Sequence, residues 1–100
     1  MAVAVDELKD LPERIVSKFI QIFRIRSKGE ELSRKNFKSV AGTRLFEARV
    51  KDKSGIYRGV CGRLGTDLVV VLFFKKKTQK IPRDVLRTAQ KRLATYKQSQ

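Results

Sequence analysis

The chain has 100 residues, 24 Lys or Arg against 10 Asp or Glu, and no histidine, which gives a formal net charge of +14. At this length only one hydrophobic core can form, so a single domain over residues 1–100 is expected; 41% hydrophobic residues make it globular, and the one-sided charge calls for a polyanion or an acidic partner. With no histidine and a lone cysteine, Cys61, the composition excludes Cys/His zinc sites, disulfide frameworks and histidine-based triads, and neither a metal nor a cofactor is expected.

Residues 1–5 offer at most a short edge strand. The acidic run Asp6, Glu7, Asp10, Glu13 is unlike the basic-then-apolar start of a secretory leader, so a reducing cytoplasm is the expected compartment. Leu8, Leu11, Ile15, Phe19, Ile22 and Phe23 recur at helical spacing. Because proline is tolerated only in a helix's first turn, Pro12 divides this stretch into a short turn and a main helix that ends near Lys28–Gly29. Residues 29–43 are polar and read as a loop with at most one helical turn.

From Arg44 the period changes to two, with Phe46, Ala48 and Val50 on one face and Glu47, Arg49 and Lys51 on the other. Asp52-Lys53-Ser54-Gly55 supplies turn chemistry and Ile56 to Leu64 a second, antiparallel strand, weakened in its middle by Gly59 and Gly62. The run Leu68 to Phe74 is apolar on both faces, as in a central strand covered on each side, and is far shorter than the roughly 20 residues of a membrane helix. No membrane partner is expected. Pro82 then opens a last helix with Val85, Leu86, Ala89, Leu93 and Tyr96 on one stripe. The fold class is α+β: an antiparallel sheet of three to four strands between an N-terminal helical region and a C-terminal helix.

Charge is the strongest functional signal. Residues 75–100 carry nine Lys or Arg against Asp84 alone, and Lys75, Lys76 and Lys77 leave the end of the central strand, which would aim them. Arginine grips phosphate oxygens bidentately, and RNA carries its own nucleophile, the 2′-hydroxyl. A cationic cluster can therefore promote strand scission by aligning that hydroxyl and stabilising charge on the phosphate, with a lysine of lowered pKa or Glu47 taking the proton. Arg58, between apolar neighbours, either anchors a buried ion pair or projects to a site, and faces Arg49 only if the register cooperates. Cys61 reads as a small buried hydrophobe.

Leu45-Phe46-Glu47-Ala48-Arg49-Val50-Lys51, Gly55-Ile56-Tyr57-Arg58, the block Val69 to Pro82 with its Phe-Lys-Lys-Lys-Thr-Gln-Lys-x-Pro core, and Ala89-Gln90-Lys91-Arg92-Leu93 together resemble the RelE/ParE toxin superfamily, in particular its HigB-like, phage-related branch. The resemblance implies the toxin of a type II toxin–antitoxin system, a metal-independent endoribonuclease that cuts mRNA at the ribosome. It also implies a cognate antitoxin, often with a helix-turn-helix, as partner alongside mRNA and the ribosome. By position the family's basic site residues fall on Arg49, Arg58 and Lys75 to Lys77, with catalytic roles expected for Arg49, Arg58, Lys75 and Lys77; the distribution of charge puts RNA binding on Lys51, Arg63, Lys76, Lys80, Arg83, Lys91 and Arg92. Relatives often have a histidine where Leu72 stands, aromatics where Gly59 to Gly62 stand and a threonine where Ile81 stands. A ParE-like gyrase inhibitor and a degenerate toxin that only binds RNA or its antitoxin remain as alternatives.

Overall fold

A computed structural model describes residues 2–3, 7–33, 35–65, 67–76 and 81–99. A 3-10 turn at Glu7–Asp10 precedes helix α1, Glu13–Ser27. Pro12 closes the approach with extended backbone, and its carbonyl accepts the amides of Ile15 and Val16 at 2.9 and 3.1 Å, so the proline starts the helix instead of breaking it. The acidic residue of α1's first turn, Glu13, and the basic Arg24 and Arg26 of its last suit the helix dipole. Gly29, at φ 82°, takes the chain out of it.

The sheet has strands β1 (Ala2–Val3), β2 (Phe37–Ser39), β3 (Leu45–Asp52), β4 (Gly55–Leu64) and β5 (Asp67–Lys76) in the order β1-β5-β4-β3-β2. Strands β2 to β5 form an antiparallel meander, and β1 adds two residues parallel to β5. Helix α2, Arg83–Gln98, opens after Pro82 and crosses the face opposite α1. Strand β2 corrects the loop expected over residues 29–43. It is three residues long in a polar stretch, and the contacts of its one large apolar side chain, Phe37, are distant in the chain: it stacks on Phe46 with ring centroids 5.5 Å apart and lies under the guanidinium of Arg26 in α1, 5.6 Å from its ring centroid.

Each face of the sheet carries its own core. Beneath α1 lie Ile15, Phe19, Phe23, Ala48, Tyr57, Cys61, Val70 and Phe73; beneath α2 lie Leu45, Val60, Val69, Val71, Leu72 and Ala89, with Val85, Leu86, Leu93 and Tyr96 of the expected stripe packed on them. Gly59 and Gly62 are openings in β4 for the two helices. A Cβ at Gly59 would stand 3.2 Å from the rings of Phe19 and Phe23, and one at Gly62 only 2.4 Å from Leu93.

A bulge decides which face the end of β5 presents. Val60 pairs with Leu72 but Cys61 with Val70, so Val71 is an extra residue with no partner on β4. Beyond it every side chain changes sides: Phe74 falls opposite Arg58, and Lys75 opposite Tyr57 on the α1 face. Arg92 of α2 donates from Nη1 to the Val71 carbonyl at 3.0 Å, so the helix is fastened to the sheet at that irregularity.

Candidate phosphate-binding face

Arg49 of β3 and Arg58 of β4 are direct cross-strand partners on the α2 side of the sheet. Like charges in such a position repel. One carboxylate compensates: Glu47, diagonal to Arg58 across the same strand pair, accepts a hydrogen bond from Arg58 Nη1. Both members of the pair are 3% exposed. Burial pulls the Arg58 pKa below its ordinary value and the charge of Arg49 pulls the same way, while Glu47 opposes both; the guanidinium stays charged at any physiological pH.

Among the described residues Arg49 makes no ion pair; its side chain is half-buried and its Nε lies inside. The Nε atoms of Arg49 and Arg58 are buried and have no hydrogen-bond partner among the described residues. A buried donor without an acceptor is costly, and two of them next to a surplus positive charge make a place for an oxyanion. Lys51, exposed two residues further along β3, extends this face; its register partner Ile56 pairs in turn with Lys76.

The other expected site residues scatter. Lys75 lies on the opposite face, its ammonium 5.5 Å from the centroid of the Tyr57 ring. It belongs to a clasp at the β3–β4 turn: the Tyr57 hydroxyl donates to Ser54 Oγ at 2.6 Å, Ser54 Oγ donates to Asp52 at 2.6 Å, and Arg14 Nε of α1 donates to Asp52 at 2.6 Å. Arg63 pairs with Leu68 at the far end of β4. Arg83 and Lys91 are exposed on α2, whereas Arg92 is half-buried and engaged with Val71. Lys77 and Lys80 lie outside the described residues. The sequence suggests Glu47 as a proton acceptor; its pairing with Arg58 is diagonal and is readable only once the register is known.

Cys61 is fully buried, and burial pushes its thiol up to about 12, which makes it an inert packing residue. Among the described residues no three His, Cys, Asp or Glu side chains group as metal ligands, and no helix is long and apolar enough to cross a membrane.

The model of the phage-derived Gp49-like protein family (DUF891) matches residues 6–94, which span α1, the antiparallel meander from β2 to β5 and most of α2. The chain belongs to this family. Gp49-like proteins fall within the RelE/HigB-like toxin superfamily, and the α+β fold expected from the sequence, an antiparallel sheet between an N-terminal and a C-terminal helix, is the fold observed. No curated protein matches the chain.

Proposed function

We propose that this Gp49-like protein is the toxin of a toxin–antitoxin pair, of the HigB-like branch, and that it cuts mRNA at the ribosome without a metal. The observation that supports this reading is the cross-strand Arg49–Arg58 pair compensated by a single carboxylate, which leaves Arg49 charged, partly exposed and short of an acceptor. The scissile phosphate supplies that acceptor. As the 2′-oxygen attacks phosphorus, the charge on the non-bridging oxygens grows, and Arg49 binds that charge more strongly than the ground state. The bond to the 5′-oxygen then breaks, leaving a 2′,3′-cyclic phosphate and a 5′-hydroxyl: the proton of the 2′-hydroxyl passes to water, and the leaving 5′-oxygen takes one from the ammonium of the exposed Lys51 on the same face, which water then reprotonates.

Arg58 and Glu47, being buried, act as positioning residues: they fix the face and its potential. Glu47 is committed to Arg58. Cleavage on this reading therefore rests on orientation and charge, which the ribosome assists by presenting the mRNA extended. A second reading, RNA binding without cleavage, draws on that same commitment of Glu47.

Induced expression in a bacterium with mapping of 5′-hydroxyl RNA ends tests the proposal. New cuts in frame within coding sequences are expected. A DNA-damage response without cuts would assign the protein to gyrase-directed toxins, and neither effect would leave it a binder only.

A further inference from the structure

A pocket of about 320 Å³ opens at the outer edge of the sheet, between β2 and the chain that joins it to α1. That volume is in the range of small-ligand sites. Its apolar wall is aromatic: Phe37 is 7% exposed and Phe46 only half-buried, and their rings stack with centroids 5.5 Å apart and planes 18° apart. Arg26 of α1 holds its guanidinium 5.6 Å from the Phe37 centroid and donates from Nη1 to the Glu30 carbonyl at 3.3 Å. Glu31 also lines the pocket, an exposed carboxylate in a chain of net charge +14.

The frame is held by backbone. The amides of Gly29 and Glu30 donate to the carbonyls of Arg26 and Ile25 at 3.0 and 3.3 Å, and those of Asn36 and Phe37 to the Ser33 carbonyl at 2.9 and 3.0 Å, so the chain that bears Glu31 is tied at both ends. Leu32, next to Glu31, packs on the core beneath α1.

We propose that this pocket binds a guanine base of single-stranded RNA, stacked on Phe46 with its Watson–Crick edge on Glu31. Aromatic rings and arginine planes are the surfaces on which unpaired bases stack. The carboxylate selects the base. Guanine presents two adjacent donors, N1–H and the N2 amino group, to two acceptor oxygens, whereas adenine, cytosine and uracil each set an acceptor beside a donor. Strand β2 also links the pocket to the arginine face, because Phe37 and Ser39 alternate with Lys38, which stands opposite Glu47 on the Arg49 side. An RNA strand crossing that edge, one strand spacing of about 4.8 Å beyond β3, meets Lys38 with a phosphate and the pocket with a base. The inference rests on the reading of the chain as a protein that acts on RNA.

The test is fluorescence anisotropy of the full chain with short labelled 2′-O-methyl oligouridylates, which cannot be cleaved, carrying one central guanine, inosine or adenine. Guanine should bind at least about tenfold more tightly than adenine, with inosine, which lacks the N2 amino group, in between. E31Q should turn the preference toward adenine, because an amide offers one acceptor and one donor. F46L, which keeps an apolar side chain but no ring, should weaken binding of the guanine oligonucleotide roughly tenfold. Circular dichroism checks that both variants fold, and Glu31, being exposed, carries the test by itself if F46L does not. Equal binding of guanine and adenine by the parent, a guanine preference that survives in E31Q, parent-like binding by a folded F46L, or no binding of any oligonucleotide would each overturn the proposal. Cuts in cells without a guanine preference would overturn this proposal alone, and a guanine preference without cuts would overturn only the ribonuclease reading.

Discussion

Arg58 is held for the fold before it is held for chemistry. Arg58 and Glu47 are each 3% exposed and joined through Arg58 Nη1, so Arg58→Ala strands a negative charge inside the sheet–helix interface. Breaking a buried pair from one side costs about 3–5 kcal/mol, and the urea midpoint should fall accordingly with an unchanged slope; a loss below about 1 kcal/mol would mean that Glu47 finds another partner. The sequence offered both roles for Arg58, ion pair or site, because Ile56 and Val60 around it are apolar. The partner's name was hidden, since Glu47 meets Arg58 only through a diagonal that depends on register.

At the scale of elements, periodicity made both helices and the β3–β4–β5 meander legible, and Pro12 and Pro82 marked the helix starts. Two features were not legible. Phe37 alone cannot announce a three-residue strand, and a bulge leaves no trace where Val69, Val70, Val71 and Leu72 are interchangeable in the hydrophobic pattern. That single extra residue moves Lys75 away from Arg58 and into the clasp over Tyr57.

The clasp has a pH signature of its own. Hydrogen bonds from Ser54, and after them Arg14, hold the Asp52 carboxyl down at about 2 against an ordinary 3.8. A carboxyl depressed by folding stabilises the folded state fully above its unfolded pKa and loses that contribution as pH falls toward the folded one. The tie between hairpin and α1 should therefore weaken between about pH 4 and pH 2. Asp52→Asn should flatten the stability profile in that window and leave the profile near neutrality parallel to the parent's. A variant as acid-sensitive there as the parent would assign the loss to other carboxylates.

For the molecule as a whole, a sheet with a separate core on each face lets one small chain display different chemistry on two sides and two ends. The net charge of +14 gives long-range attraction to RNA everywhere. Lys91, exposed on α2 and with no role assigned in the chemistry, contributes to that field. Lys91→Ala should weaken RNA association modestly, lower the salt dependence of log K by at most about one, and leave the cleavage rate of bound RNA as it was. Charge of this kind is countable in a sequence; which arginine of the cross-strand pair a carboxylate answers is not, because Glu47 meets Arg58 only through the register of β3 and β4.

Arg49 is therefore the residue on which the account turns, and the direct measurement is single-turnover cleavage by Arg49→Ala beside its RNA affinity. The variant keeps the buried pair intact and should fold. The account predicts a cleavage rate lower by roughly 100-fold with affinity within a few fold, as for removal of one group that binds transition-state charge. A folded Arg49→Ala protein that cuts RNA at the parent rate would contradict it.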